Sequence, residues 1–143
     1  MRFNHIGIFV KSIKFGIKEL NKIVNIKKKS KIIKDKNLKV NIIFLYDEKN
    51  FCYELIEPIG SKSPVINVLK KKINILNHIA YESLNFDKDV KKLMNIGFTP
   101  ITKPMKAKAF SNRRVIFLMN KLNFINELIE KKWDFLFLLN PYF

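Results

Sequence analysis

The spacing of apolar positions changes several times along the chain, and each change marks an element. "RFNHIGIFV" (2–10) is rich in β-branched and aromatic residues and predicts a strand. Over 11–24, Ile13, Ile17, Leu20 and Val24 recur at three- and four-residue steps, which predicts an amphipathic helix. "NIKKKSKII" (25–33) predicts an exposed strand or hairpin arm. "LKVNIIFLY" (38–46) predicts a strand, "DEKN" (47–50) a turn, and "FCYELIE" (51–57) a strand stopped by Pro58 and Gly60. The order is β-α-β-β-β.

The pattern then starts again. A helix is predicted over 61–72, with Ser63 as N-cap and Pro64 as first helical residue. "LNHIAYES" (76–83) predicts a strand, and 85–97 a helix that Gly97 closes, with Val90, Leu93 and Met94 on one face. A short strand interrupted by Pro100 (98–101) and strands over 114–119 and 124–130 complete a second β-α-β-β-β. The words repeat as well: "NHI" at 4–6 returns at 77–79, and "ELIE" at 54–57 returns at 127–130. His5 and His78 stand 73 residues apart, as do Glu54 and Glu127. One module is used twice. The expected division is a first module at 1–60, a linking helix at 61–75, a second module at 76–130 and an apolar tail at 131–143. That tail, with "WDFLFLLNPYF" from 133, is expected to cover the sheet or a subunit contact.

Composition narrows the classes. With 143 residues, 48% of them hydrophobic, the chain suits one globular domain. No apolar run reaches the length of a membrane span, and no signal peptide is read at the start. The single Cys52 excludes an internal disulfide and reads as buried packing; the expected compartment is the cytoplasm. The net charge of +16 comes almost wholly from lysine, with arginine only at Arg2, Arg113 and Arg114. So few arginines argue against sequence-specific DNA reading, and nucleic acid is not the expected partner. The lysine runs at 27–29 and 70–72 are expected to be solvated and could meet the phosphates of a ligand.

The chemistry lies in the repeated residues. His5 and His78 are the only histidines, each in the first strand of its module; Glu54 and Glu127 each stand in the last. Alternation puts Glu54 on one face with Cys52 and Ile56, and Glu57 on the other. A buried carboxylate in a central strand needs a partner. A divalent cation held by two imidazoles and two carboxylates would provide one.

"NHIGIFV", "CYELIEPIGSKSPVINVLKKK", "LNHIAYES", "PMKAKAFSNRRVIFLM" and "FINELIE" resemble the vicinal oxygen chelate superfamily (glyoxalase, bleomycin resistance and dioxygenase proteins), and within it methylmalonyl-CoA epimerase-like proteins, over about 2–130. The resemblance implies an α+β fold of two tandem βαβββ modules, curled as a mixed sheet around a central cleft. It places His5, Glu54, His78 and Glu127 on the family's ligand positions for Co²⁺, Mn²⁺, Ni²⁺ or Zn²⁺. It implies an epimerase or isomerase working through a metal-stabilised enolate, with Glu127 as base. A second acid/base is needed on the opposite face of the substrate, and Asp35 is the candidate. Arg113 and Arg114 are candidates to grip a substrate carboxylate. The expected partners are a small-molecule substrate, a coenzyme A or acyl-carrier-protein thioester, and a second copy of the chain in a homodimer. The alternatives are a glyoxalase I-like lyase and a non-catalytic, drug-sequestering binder. An extradiol dioxygenase fits less well, since it uses three protein ligands and this chain offers four.

Overall fold

The structure, a computed structural model, describes residues 1–132. The expectation for the tail from 133 lies outside the described residues. The first half runs β1 (Arg2–Phe9), α1 (Ile13–Leu20), β2 (Ile26–Lys29), β3 (Ile33–Asp35), β4 (Val40–Asp47) and β5 (Cys52–Pro58). After α2 (Pro64–Lys71), the second half runs β6 (Leu76–Ser83), α3 (Phe86–Asn95), β7 (Thr99–Pro100), β8 (Met105–Ala107), a 3₁₀ turn (Lys108–Phe110), β9 (Arg113–Met119) and β10 (Ile125–Glu130). The strands form one mixed sheet in the order β2-β4-β5-β1-β6-β10-β9-β7, with β3 also on β4 and β8 also on β9. The fold is the expected α+β curled sheet.

Strand alternation sorts the side chains into layers. On one face Ile43, Leu45 and Leu55 pack under Ile13, Ile17 and Leu20 of α1, and Ile116, Leu118 and Leu128 pack under Phe86 and Leu93 of α3. The other face carries Val40, Ile42, Phe44, Ile56, Ala80, Val115 and Ile129 in one cluster with Val65 of α2 and Phe110 of the 3₁₀ turn. This second cluster draws on both halves, and the polar quartet lies within it.

Three elements differ from expectation. The helix expected over 11–24 stops at Leu20, and the chain continues through turns in which Ile23 and Val24 both donate to Leu20 O. These mix three- and four-residue bonds, which keeps the apolar rhythm past the end of the regular helix. The arm at 25–33 is two short strands. Ser30 fills the break: its N–H donates to Phe44 O, and its Oγ accepts from Phe44 N. The strand β8 was not expected. Its break from β7 is built in the same way, with Ile101 N donating to Phe117 O and Thr102 Oγ accepting from Phe117 N. A hydroxyl that takes over a ladder bond leaves no trace in hydrophobic periodicity.

Glu57 lies on the face opposite Glu54, as alternation requires. Its carboxylate accepts from Ile13 N at the start of α1 (2.6 Å) and from Asn41 Nδ2 (3.0 Å). Ser63 is the N-cap residue of α2 with Pro64 following, but its hydroxyl makes no capping bond.

Candidate metal centre

The central strands β1 and β6 run antiparallel, each flanked by a parallel strand of its own half. Gly7 pairs with Glu54 on one side and with His78 on the other. Ala80 pairs with Glu127 on one side and with His5 on the other. Each row therefore holds a carboxylate, a very small residue and an imidazole on three neighbouring strands. The small middle residue leaves room for its neighbours' side chains to lean together. A Cβ added at Gly7 would lie 2.1 Å from His78 Cε1 and 2.4 Å from its Nε2, in hard collision with the ring.

The four side chains do converge. His5 Nε2 and His78 Nε2 are 3.1 Å apart. Glu54 Oε2 is 3.2 Å from both of these nitrogens, and Glu127 Oε2 is 3.4 Å from both. All four residues are buried, His5 completely. Donors each about 2.1 Å from a shared centre would lie about 3.0–3.4 Å from their neighbours. The spacings of the two imidazoles and Glu54 thus suit one ion. His5, Glu54 and His78 alone have donors all within 4.8 Å of one another. Glu127 lies against both imidazoles but farther than 4.8 Å from Glu54, so it would complete the set by moving toward the ion. Its Oε2 is buried and accepts no hydrogen bond among the described residues, so a cation would satisfy an otherwise orphaned oxygen. The residues present fit a divalent metal.

Without an ion, the carboxylates favour protonation of both rings. Burial disfavours a charge on His78, but the facing Glu127 and Glu54 outweigh it and raise the ring from 6.5 to about 10. His5 is raised by the same balance. Burial alone would raise Glu54 and Glu127, yet the two histidines bring both below the ordinary carboxylate range. An ion that takes His78 Nε2 must displace a proton. Co²⁺ uptake at pH 7 is therefore expected to release protons, read by calorimetric titration in two buffers of different ionisation heat. The stabilisation carried by the raised His78 is complete below 6.5 and is lost as pH rises through about 10. Metal-free protein should accordingly melt lower at pH 10 than at pH 7. Uptake heats independent of buffer would show that the rings are neutral.

Aromatic rings fix the imidazoles. Phe110 stacks on His5 at 5.7 Å between centroids, and Phe44 meets its edge at 5.6 Å. Phe117 meets the edge of His78 at 5.4 Å. Sequence reasoning missed all three. Phe44 and Phe117 carry the same repeat spacing as the quartet, which could have singled them out. Phe110 has no such signal.

A cavity of about 460 Å³ opens onto Glu54, His78 and Glu127. Its walls are mainly apolar, with Ile42, Ile56, Val65, Met105, Val115 and Phe117 among them. Asp35 lines it too. Its Oδ1 accepts from Asn37 N and Leu38 N, which closes the turn after β3. Arg113 and Arg114 do not line it. Arg113 bonds Glu82 and the carbonyls of Phe110 and Glu130; Arg114 bonds Asp87 and Glu130. Lys27–Lys29 and Lys70–Lys72 are exposed. Cys52 is packed in the core, and burial pushes its thiol up to about 11, which leaves no thiolate for chemistry at neutral pH.

A family model described as glyoxalase/bleomycin resistance protein/dioxygenase superfamily matches residues 4–117. The chain belongs to this superfamily. No curated protein matches it. Among solved structures, this superfamily member is similar to a hypothetical protein from Bacillus halodurans, with 25% identity, a TM-score of 0.73, and 92% and 94% of the two chains covered. It is similar to methylmalonyl-CoA epimerase from Mycobacterium tuberculosis, with 17% identity, a TM-score of 0.75, and 92% and 88% covered. It is also similar to a Streptomyces coelicolor methylmalonyl-CoA epimerase in complex with 2-nitronate-propionyl-CoA, with 18% identity, a TM-score of 0.70, and 92% and 97% covered. The likeness to the two epimerases is one of fold. Among the described residues, no helix is long and apolar enough to cross a membrane.

Proposed function

We propose that the protein is a divalent-metal-dependent epimerase or isomerase that moves the proton next to the carbonyl of an acyl thioester. The observation that carries this reading is the approach of Glu54 and Glu127 to within 3.2–3.4 Å of both His5 and His78 beneath an apolar cavity. Those four side chains would hold the ion. Bound there, it would supply Lewis-acid polarisation of a substrate carbonyl.

The chain's own residues supply the rest. The Glu127 carboxylate lies against the cavity beside both imidazoles, so it is the group placed to take a substrate proton. Asp35, which lines the same cavity, is the second acid/base; among the described residues only its Oδ1 is engaged. Val65, Met105, Val115 and Phe117 exclude water around the reacting carbon. The guanidinium groups of Arg113 and Arg114 are taken up by acidic side chains, which favours a structural role for both. Among the described residues, Lys108 is the one lysine or arginine of the cavity lining. A thioester carried on coenzyme A or on an acidic carrier protein would suit the exposed lysines, and the protein would act as a homodimer.

The test is solvent deuterium entry at C2 of methylmalonyl-CoA. Exchange that appears with added Co²⁺ and vanishes on chelation is the expected outcome. Tight Co²⁺ binding without any exchange would discard the epimerase assignment and leave a lyase or a binder.

A further inference from the structure

Neighbouring residues of a strand point to opposite faces, so Asn4 and Asn77 should point away from the histidines that follow them. Instead His5 Nδ1 donates to Asn4 Oδ1 at 2.8 Å, and His78 Nδ1 donates to Asn77 Oδ1 at 3.0 Å. The strand register explains how. Phe3 pairs with Tyr81 but His5 with Ala80, so Asn4 is an extra residue on β1. Gly7 pairs with His78 but Ile8 with Leu76, so Asn77 is an extra residue on β6. Both asparagines are β-bulge residues, at matching positions of the repeat. A bulge re-aims a side chain without ending the strand.

We propose that Asn4 and Asn77 are positioning residues, held beside His5 and His78 by paired β-bulges so that each carboxamide fixes its ring's Nδ1–H and turns the Nε2 lone pair to the common centre. This rests on the metal-centre reading above. A neutral imidazole carries one N–H, and the partner of one nitrogen decides what the other can do. With Nδ1–H given to the asparagine, Nε2 is left as the ligand atom. The acceptor is a neutral amide, so it adds no charge to a site in which two carboxylates already balance a divalent ion. The same geometry in both halves sets the two Nε2 atoms 3.1 Å apart.

The full-length protein, its single variants Asn4→Ala and Asn77→Ala, and the acceptor-retaining Asn4→Asp and Asn77→Asp are titrated with Co²⁺. The imidazole ¹H–¹⁵N spectrum is recorded on the Zn²⁺-loaded forms. Each alanine variant is expected to bind Co²⁺ about 10- to 100-fold more weakly and to lose the slowly exchanging Nδ1–H signal of its own histidine. Each aspartate variant should keep that signal and bind near the wild-type level. A purely packing role would lower the melting temperature of the metal-free variants and leave affinity and the Nδ1–H signal alone. Alanine variants with wild-type affinity and signal therefore overturn the orienting role while the metal centre stands. Wild-type protein that binds no Co²⁺ overturns both.

Discussion

Gly7→Ala is expected to weaken Co²⁺ binding by more than about 100-fold, beyond the usual effect of disturbing a ligand's support, while the protein still folds. The new methyl group would occupy the space of the His78 ring. That ring is confined by Phe117 at its edge and by the bond from Nδ1 to Asn77. The direction left to it is the cavity, which takes Nε2 away from His5. The backbone at Gly7 is not left-handed, so the cost is the contact alone. Overpacking of this kind costs about 1–3 kcal/mol, well short of unfolding a typical domain. The equivalent residue of the second half, Ala80, already carries a methyl group opposite His5. The substitution therefore asks whether the remaining asymmetry of the centre matters. Circular dichroism checks the fold, and a competitive Co²⁺ titration checks the site. Wild-type affinity in this variant would remove His78 from the ligand set.

Glu127→Gln is expected to slow C2 exchange by about 10²- to 10⁴-fold at saturating Co²⁺, the usual contribution of a positioned general base. The amide keeps the shape of the side chain and loses its charge and its basicity. Metal affinity should fall too, because one of two balancing carboxylates is gone. Rates measured across a Co²⁺ titration separate the two effects: weaker binding moves the midpoint, and loss of the base lowers the plateau. A plateau near the wild-type value would transfer the proton-moving role to Asp35. A second consequence is internal. Burial lowers His78, and Glu127 is the first group that opposes it, so this variant should bring the ring back toward neutrality in the metal-free protein.

Much of the architecture could be read along the chain because it depends on local periodicity. The apolar alternation of β4, β5, β9 and β10 follows from side chains that must face two different layers. The helix faces of α1 and α3 follow from three- and four-residue spacing. Four of the site's residues could be read for a separate reason: duplication wrote each kind twice, at one interval, in a chain with two histidines. Asp35, a candidate from the resemblance, does line the cavity, whereas Arg113 and Arg114 sit in ion pairs outside it. Nothing in a sequence announces that a guanidinium will be claimed by Glu82, Asp87 or Glu130 from distant elements.

The sequence by itself determined the longer strands and helices, the repeat and which four side chains stand as candidate donors, since these rest on residue type and spacing. Only the tertiary structure decided that β1 and β6 lie side by side, so that Gly7 and Ala80 separate each carboxylate from an imidazole of the other half. It alone decided that Asn4 and Asn77 turn to the same side as their histidines. The physical reason is that strand pairing and bulges arise between segments dozens of residues apart. A period of two along one strand carries no information about the register of its neighbour.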